Sequence, residues 1–448
     1  MIGLNFSFMM AETIGEKGLS EREVENIRGK ALAAIRELKE RKWAELEYMD
    51  LPFQDTSAIK KEAGRLKGFS DYFLLLGIGG SALGPKCILD ALSPFHNQLK
   101  GKSPKIYIYD NVDPSTLKSI LSLIDLKRTA VNVISKSGST AETAAGFMIA
   151  YDEMKKALGE KAEERFVLTT DPEKGELRRL AREKNVASLP IPTGVGGRYA
   201  VLSPVGLLLA ELIGVDANEL LAGARDLRKS CMKDEVWENP ALLFASLCYL
   251  MDIREGRKIT VLVPYADRLR SFSEWFCQLW AESLGKLGMG LTPYPSIGTT
   301  DQHSQLQLWM EGPEDKVIVF MRVEDYGAEY KIPDRFGDYE SMKYLRGHSL
   351  SELIKAEEEA SELALAKTGR PNMVITIPQI DAYHLGQLFY FFEIATPLAG
   401  FLYGVNPFNQ PSVEEGKLLT FGAMGREGYE KKGKDIIEYR EKKKIFRL

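Results

Sequence analysis

The chain has 448 residues, of which 44% are hydrophobic and 27% charged, and its formal net charge at pH 7 is −4. These proportions are ordinary for globular proteins and predict two or three domains with substantial cores. A weakly acidic chain has no general attraction to nucleic acid or to an anionic membrane, so we expect neither as a partner. No uninterrupted apolar run approaches the roughly 20 residues that a membrane-spanning helix needs. The four cysteines form no CxxC pair, which argues against a disulfide framework or a zinc knuckle.

The pattern of charged and apolar residues changes near Tyr72. Residues 1–65 are rich in charge and follow a helical pattern, so we predict a helical N-terminal segment there. From Tyr72, short apolar runs alternate with helical stretches, which predicts βαβ units and a parallel sheet with helices on both faces. The predicted strands are YFLLLG (72–77), KIYIYD (105–110), TAVNVIS (129–135) and RFVLTTD (165–171).

The same alternation returns in the second half of the chain. Three further predicted strands are KITVLVPY (258–265), KVIVFMRV (316–323) and NMVITIP (372–378). The sequence therefore predicts an α/β fold with two domains of similar design, joined by helical material around 200–255. In open parallel sheets, ligands bind beyond the carboxyl ends of the strands, so the loops after these strands are the candidate sites.

The loop after the first strand reads GIGGSALGP and contains Ser81. Its glycines let the backbone approach an anion at the start of a helix. The segment also satisfies GxGxxA, a weak dinucleotide fingerprint, although the acidic partner, Asp110, lies further along than that motif requires. A tight turn without a ligand is the remaining interpretation.

The loop after TAVNVIS reads ISKSGSTAET and is rich in hydroxyl groups. Ser135, Ser137, Ser139 and Thr140 can donate hydrogen bonds to phosphate oxygens, and Lys136 adds a compact positive charge. The loop lacks the GxxxxGK[ST] pattern, so it suits one terminal phosphate ester better than a nucleoside triphosphate. The alternative is a simple N-capped helix start, with Ser139 or Thr140 as the cap.

A glycine-rich segment, PTGVGGRYAVLSPVG, places Arg198 directly after Gly197. An arginine held by a glycine turn can aim its planar guanidinium at a developing oxyanion. The alternative is a flexible loop with a solvated arginine.

The helix predicted over 268–287 carries polar residues at four-residue steps on one face, namely Glu274, Gln278, Glu282 and Lys286. Among aromatic neighbours Glu282 could serve as a general base. A solvated polar stripe with a Glu282–Lys286 surface pair is the alternative.

Two later segments offer further proton carriers. GTTDQHSQLQLW contains His303, whereas His96, His348 and His384 lack polar or glycine-rich surroundings and are interpreted as structural or surface residues. FNQPSVEEGK places Gln410 and Lys417 seven residues apart, two helical turns, so both could face one cleft. Either segment alone could be purely structural.

Taken together, six segments resemble phosphoglucose isomerases, in the right order along most of the chain. They are GIGGSALGP, SKSGSTAET, VGGRYAVLS, QLWAESLGK, GTTDQHS and FNQPSVEEGK. The length is similar to that of the shorter bacterial form of this family. The resemblance implies two three-layer αβα sugar-isomerase (SIS) domains with parallel sheets, here 66–225 and 226–400, followed by a C-terminal helical arm at 401–448.

The resemblance also implies a reaction, the interconversion of glucose 6-phosphate and fructose 6-phosphate in the cytoplasm, in glycolysis and gluconeogenesis, without metal or cofactor. Glu282 would be the base, Arg198 would stabilise the enediolate, and His303 and Lys417 would open the sugar ring. The substrate-binding residues would be Ser81, Ser135, Lys136, Ser137, Thr140, Glu142, Gly197, Gln278 and Gln410. A homodimer is implied, because the histidine of these enzymes comes from the neighbouring subunit.

The chain departs from the family pattern at a few positions. Asp301 stands where many members carry Gly, Leu284 where many carry Asn, and Gly138 and Ser139 where others carry bulkier residues or Thr. Two other functions remain open at this point: a phosphosugar-sensing module and a dinucleotide-dependent oxidoreductase. The joint presence of Glu282, His303 and Lys417 disfavours the first, and the poorly placed acid disfavours the second.

Overall fold

The computed structural model describes residues 1–93 and 104–443, so His96 and the last five residues of the predicted arm lie outside the described residues. The strands in this part of the chain are β1 (Gly3–Asn5), β2 (Tyr72–Leu76), β3 (Lys105–Tyr109), β4 (Thr129–Ile134), β5 (Phe166–Thr170), β6 (Ala187–Pro190), β7 (Ile259–Pro264), β8 (Thr292–Pro295), β9 (Lys316–Asp325) and β10 (Asn372–Gln379). The helices of the first half are α1 (Ala11–Ile14), α2 (Glu21–Asn26), α3 (Arg28–Lys39), α4 (Ser57–Lys67), α5 (Gly80–Leu92), α6 (Pro114–Leu123), α7 (Ala141–Leu158), α8 (Glu176–Glu183), α9 (Pro204–Leu212) and α10 (Ala217–Cys231). Those of the second half are α11 (Pro240–Glu255), α12 (Arg270–Leu284), α13 (Leu306–Glu311), α14 (Glu340–Lys343), α15 (Leu350–Lys367), α16 (Ala382–Tyr403), α17 (Pro411–Ala423) and α18 (Glu430–Lys442).

The first sheet contains five parallel strands in the order β3-β2-β4-β5-β6. Its central strands β4 and β5 are buried along their whole length, which explains their nearly continuous apolar sequences. The order reverses between β2 and β4, because β3 is added on one side of β2 and all later strands on the other. This reversal is the switch point of a doubly wound sheet, where ligands bind beyond the strand ends.

The second sheet repeats this design with one change. Its order is β1-β10-β9-β7-β8, so β8-β7-β9-β10 corresponds to β3-β2-β4-β5 of the first sheet. The fifth place is taken by β1, which comes from the N-terminus and pairs antiparallel with β10. The prediction of two similar α/β units is confirmed, but the second sheet is mixed, and the segment 1–65 contributes a strand as well as helices.

Helix α16 is the core of the second half. It has 22 residues, and by length and apolar composition it could cross a membrane. The helix is interrupted by His384, Gln387 and Glu393, so it qualifies through its average composition and is not an uninterrupted apolar run. However, 94% of its most apolar window is buried inside the protein, where α16 packs against α10, α11 and α12. It has the character of a central core helix.

The two halves meet along α5 and α12. Helix α5 follows β2 of the first sheet, α12 follows β7 of the second, and the two helices pack against each other. Because α12 also packs against α16, its position is fixed from both sides. The end of α12 is thereby held next to the loops at the switch point of the first sheet.

Candidate active site

The glycine-rich loop after β2 touches two other segments of the site. Gly79 has a φ of +58°, and a Cβ built on it would lie 2.9 Å from Gln278 Nε2. A Cβ on Gly80 would lie 2.1 Å from the carbonyl oxygen of Gly197. A side chain at Gly80 would collide with the backbone of Gly197, whereas one at Gly79 would be strained at its positive φ and would displace the end of the Gln278 side chain. Ser81 follows them, half-buried in the first turn of α5.

The hydroxyl-rich loop after β4 is organised by its own hydrogen bonds. Ser135 Oγ is buried, lies 3.0 Å from Thr140 Oγ1 and accepts a 3.1 Å bond from the backbone N–H of Gly138. Ser137 Oγ accepts a 3.2 Å bond from the N–H of Ser139. Thr140 occupies the N-cap position of the 18-residue helix α7 but makes no side-chain capping bond to the described residues. The loop thus places four hydroxyls around a helix N-terminus, which favours an anion over a simple capping role.

Lys136 connects this loop to the segment that leads to Arg198. Its Nζ donates a 2.9 Å hydrogen bond to the carbonyl of Val195 and another to the carbonyl of Thr193. Burial lowers the pKa of the Lys136 ammonium, while Asp171 acts in the opposite direction. The positive charge therefore lies between the two loops and holds them together.

Glu142 lies in the first turn of α7 and is half-buried. It lines a narrow cleft together with Gly77, Asp110 and Asn111, at the ends of β2 and β3. The cleft therefore brings a second carboxylate close to Asp110, the residue considered above as the acidic partner of a dinucleotide fingerprint.

The guanidinium of Arg198 is buried, with 4% of the residue exposed, and is fixed by several acceptors. Nε donates to Ser283 Oγ at 2.8 Å, and Nη1 donates to Gln410 Oε1 at 3.0 Å. Nη2 donates to the carbonyl oxygens of Pro407 at 2.7 Å and Asn409 at 3.3 Å. The alternative of a flexible, solvated arginine is excluded, because this side chain joins three distant segments of the chain.

Glu282 faces this arginine from the end of α12. Its Oε1 lies 3.2 Å from Arg198 Nη1, and its Oε2 accepts a 3.1 Å hydrogen bond from Gln278 Nε2, one helical turn earlier. The side chain keeps 25% of its surface exposed, so it can be reached by a small molecule. A carboxylate that is oriented at both oxygens and remains accessible is arranged as a general base would be.

Lys286 caps the helix that carries Glu282. Its Nζ donates to the backbone carbonyls of Glu282 at 2.8 Å and Ser283 at 2.6 Å, which would otherwise be unpaired at the C-terminus of α12. Burial, followed by the nearby charge of Arg198, lowers the pKa of Lys286 to about 8. The hydrogen bonds of Lys286 go to main-chain carbonyls and not to the Glu282 carboxylate, so they do not form the surface Glu282–Lys286 pair that was considered as the alternative.

His303 and Lys417 are exposed and lie outside the hydrogen-bond network of this cluster as far as the described contacts show. His303 is exposed in the turn between β8 and α13. Lys417 is exposed on α17, where its Nζ lies 2.8 Å from Glu414 Oε1. Helices α17 and α18 pack against each other as a hairpin, and neither has a buried residue among those described. Within the described contacts, neither side chain reaches Glu282.

Some partners in this site have no signal in the sequence. Ser283 lies beside Glu282 but off the polar face of α12, and the carbonyls of Pro407 and Asn409 are main-chain groups. Their importance depends on Arg198 reaching across the chain, which periodicity cannot show. Of the other histidines, His384 Nδ1 lies 2.8 Å from Asp381 Oδ1 at the start of α16. The described ranges also contain no group of three His, Cys, Asp or Glu residues that could hold a metal ion.

Comparison with known proteins gives consistent matches along the chain. The family model described as phosphoglucose isomerase matches residues 61–427. A glucose-6-phosphate isomerase of Carboxydothermus hydrogenoformans is 40% identical, with 99% of each chain covered. One of Rubrobacter xylanophilus is 45% identical, over 92% of this chain and 96% of that one.

Two solved structures are similar over nearly the whole chain. A crystal structure described as a hypothetical protein of Thermus thermophilus has a TM-score of 0.85 and 34% identity, and the match covers 95% of this chain and all of that one. A glucose-6-phosphate isomerase of Chlamydia trachomatis has a TM-score of 0.79 and 23% identity, over 98% of this chain and 92% of that one. The second likeness concerns the fold.

Proposed function

The chain belongs to the phosphoglucose isomerase family and is an aldose–ketose isomerase of glucose 6-phosphate and fructose 6-phosphate, and we propose that Glu282 is its catalytic base. The observation that carries this proposal is the arrangement at the end of α12. There an accessible carboxylate is oriented by Gln278 and faces the buried guanidinium of Arg198.

The proposed chemistry begins from the open-chain aldose. Glu282 removes the proton from C2 while the C1 carbonyl becomes part of an enediolate. The same carboxyl returns that proton to C1, and a proton moves from O2 to O1, which gives the ketose with no net gain or loss of atoms. A positioned base contributes about 10² to 10⁴ in rate, so it cannot supply the whole acceleration.

Arg198 supplies the second contribution by stabilising the enediolate oxygen. Its distance of 3.2 Å to Glu282 is longer than the roughly 2.7–2.9 Å of a tight charge-assisted hydrogen bond. A substrate oxygen can therefore compete for Nη1 while Ser283 and the carbonyls of Pro407 and Asn409 keep the guanidinium in place. One oxyanion donor of this kind is worth about 2.7–4 kcal/mol in a water-excluded site.

The phosphate of the substrate would bind at the start of α7. Ser135, Ser137 and Thr140 provide hydroxyl groups there, and Ser81 lies in the neighbouring loop. Lys136 contributes positive charge between the loops, where its carbonyl contacts also fix the loop geometry. Binding energy gained at this remote group can be used to orient the reacting carbons. The mechanism needs neither a metal ion nor a cofactor.

We assign ring opening to His303 and Lys417, which would move protons at the ring oxygen and at O1. Both are exposed in the single chain, which supports a homodimer in which His303 completes the site of the partner subunit. Glu142, Gln278 and Gln410 would orient groups around the sugar, and Gly197 would leave room for it.

We also propose a domain division and a location. The division places the N-terminal segment at 1–65, the two sugar-isomerase domains at 66–225 and 226–400, and the arm at 401–448. The two sheets and the terminal helical hairpin support it. The proposed location is the cytoplasm, where glycolysis and gluconeogenesis use this reaction.

The test is a coupled assay that follows glucose 6-phosphate formed from fructose 6-phosphate in the presence of EDTA. We expect rapid turnover by the unmodified protein, and a loss of at least about 100-fold in kcat for Glu282→Gln, because an amide cannot accept the proton. The matched control is Glu274→Gln, two helical turns earlier on α12, whose carboxylate pairs with Lys86 at 2.9 Å.

Glu274→Gln should retain most of the activity, and thermal unfolding should show that both variants are folded. A folded Glu282→Gln variant with near-normal kcat would exclude Glu282 as the base. Inhibition by EDTA would show that the reaction depends on a metal.

A further inference from the structure

The turn at 296–305 combines a rigid frame with a free histidine ring. It connects β8 to α13 and carries His303, which is exposed. No hydrogen bond of its ring to the described residues is recorded, whereas the residues on both sides of it are held by side chains. What holds them determines where the ring points.

Asp301 is the centre of this frame. Its Oδ2 accepts hydrogen bonds from Ser296 Oγ at 2.7 Å and from the N–H of Ile297 at 2.8 Å, while Oδ1 accepts from Ser304 Oγ at 2.6 Å. Its carbonyl oxygen accepts from the N–H of Gln305 at 2.7 Å. Burial opposes ionisation of the carboxyl, but the bonds from these serines and from Ile297 leave the pKa of Asp301 below its ordinary value. A charged carboxylate therefore ties the start of the turn to its end.

A second set of bonds fixes the turn to α15. Gln302 Nε2 donates to Ser361 Oγ at 2.7 Å and to the carbonyl of Glu357 at 3.1 Å. Thr299 has a φ of +62°, which is unusual for a β-branched residue, and its hydroxyl donates to Glu357 Oε2 at 3.0 Å. Strained backbone of this kind persists only where the surroundings hold it, and it clusters at functional sites.

We propose that Asp301 is a positioning residue that presents the His303 ring for proton transfer. This inference rests on the ring-opening role given to His303 above. Both neighbours of His303 are anchored, Gln302 to α15 and Ser304 to Asp301, so the backbone at 303 has little freedom while the ring has no competing partner among the described residues. A glycine at position 301 could not provide the three side-chain bonds.

The experiment is a double-mutant cycle on the purified full-length protein, with kcat and KM measured for fructose 6-phosphate. The variants are Asp301→Ala, His303→Ala and the double variant, with Asp301→Asn as the conservative change that retains one acceptor oxygen. The matched control is Asp325→Asn, which affects another turn-forming aspartate whose Oδ1 accepts a 2.8 Å bond from the N–H of Gly327.

We expect Asp301→Ala to lower kcat by about 10- to 100-fold with little change in KM, because small displacements of a catalytic group cost rates of this size. In the His303→Ala background the same change should cost less than about twofold, since no ring remains to be positioned. Asp301→Asn should recover part of the activity, and Asp325→Asn should retain all of it.

Two results would overturn the inference in distinguishable ways. Equal losses from Asp301→Ala in both backgrounds, or no loss in either, would show that Asp301 does not act through His303, and the proposed function would stand. Full activity of His303→Ala would remove the ring-opening role itself, and the inference would fail together with that role.

Discussion

Arg198 is held in place by groups of the folded chain itself. Four acceptors on two other segments, Ser283 and residues 407–410, fix its guanidinium, and Glu282 Oε1 lies 3.2 Å from its Nη1. A donor that is already oriented needs no rearrangement when charge develops on the substrate. The orientation of this guanidinium is therefore set by the fold of the chain.

Ser137 tests the phosphate loop. Ser137→Ala removes a hydroxyl that would bond a phosphate oxygen, and such a bond to a charged group is worth about 1.5–3 kcal/mol. We expect KM for fructose 6-phosphate to rise by about tenfold or more, with kcat nearly unchanged. Ser122→Ala is the control, since Ser122 is an exposed serine on α6 whose hydroxyl bonds only the carbonyl of Ser119 in the described contacts. Equal KM values in the two variants would rule out this phosphate contact.

Glu393 gives a prediction about stability and pH. It is fully buried in α16, and neither carboxylate oxygen has a hydrogen-bond partner in the described part of the chain. Burial raises the pKa of this carboxyl well above 4.5. Between 4.5 and the raised value the native state therefore binds more protons than the unfolded state, so stability falls as pH rises, by up to about 1.4 kcal/mol per pH unit.

Glu393→Gln should remove this dependence. Urea unfolding at several pH values should show a stability advantage of the variant that grows with pH above 4.5. Glu427→Gln, at an exposed position, should follow the unmodified protein. A constant difference between Glu393→Gln and the unmodified protein would mean that Glu393 ionises in the native state as readily as in the unfolded one.

Individual site residues could be predicted from the sequence where the local amino-acid composition is unusual. The hydroxyl-rich run that contains Ser137 and the arginine that follows three glycines are unusual enough to be noticed in the sequence. In the structure the run lies at the end of a strand, and the arginine lies beside Glu282. Among the partners of Lys136 and Arg198, the main-chain carbonyls and Ser283 could not be predicted, since only folding brings them close. The roles of these residues stay predictions until the variants are measured.

Whether a strand could be predicted from the sequence depended on its position in the sheet, because the strands that were missed are all short edge strands. All seven predicted strands are present. Among the described residues, the three strands that were not predicted, β1, β6 and β8, are edge strands of three or four residues. Edge strands are covered on fewer sides, and these three are mostly exposed or half-buried. They therefore lack the apolar runs by which interior strands are recognised.

Gly79 tests the packing of the β2 loop against α12. Gly79→Ala should cost about 1–3 kcal/mol for a side chain at φ +58° and ψ −130°, which is outside the left-handed helical region, and it should also displace Gln278, which orients Glu282. We therefore expect kcat to fall by about tenfold or more. Gly159→Ala is a close control, because Gly159 has a φ of +59° but nothing within 4 Å of the added Cβ.

Both glycine variants should lose similar stability in thermal unfolding, and only Gly79→Ala should lose activity. Similar activities in the two would show that the Gly79 contact with Gln278 is unimportant for catalysis.

At the scale of the whole molecule, the site lies at the seam of two similar halves. Glu282 comes from a helix of the second half, Arg198 from the end of the first, and Gln410 from the start of the terminal hairpin. The sequence predicted both halves but not their relative placement, which depends on the packing of α5 against α12. His303 and Lys417 are exposed in the single chain, and that exposure motivates the last prediction.

Two inactive variants should restore activity when they are combined. If His303 serves the partner's site, a mixed dimer of Glu282→Gln and His303→Ala subunits has one complete site and one doubly defective site. After co-expression or joint refolding, random pairing should give about a quarter of normal activity per site. Separately purified variants mixed without subunit exchange are the control. Absence of any recovery in verified mixed dimers would place His303 in the site of its own subunit.

The N-terminal strand β1 has a consequence for synthesis on the ribosome. Residues near it contact residues very far along the chain, as shown by the 2.8 Å bond from the N–H of Ile2 to Gln387 Oε1, 385 positions away. At roughly 5–20 residues per second, translation separates the two by about 20 to 80 seconds. During that interval the nascent strand lacks its partner β10, so the second sheet is completed only late in translation, whereas all strands of the first sheet emerge earlier. Chaperones that shield exposed strands would therefore matter most for the second half.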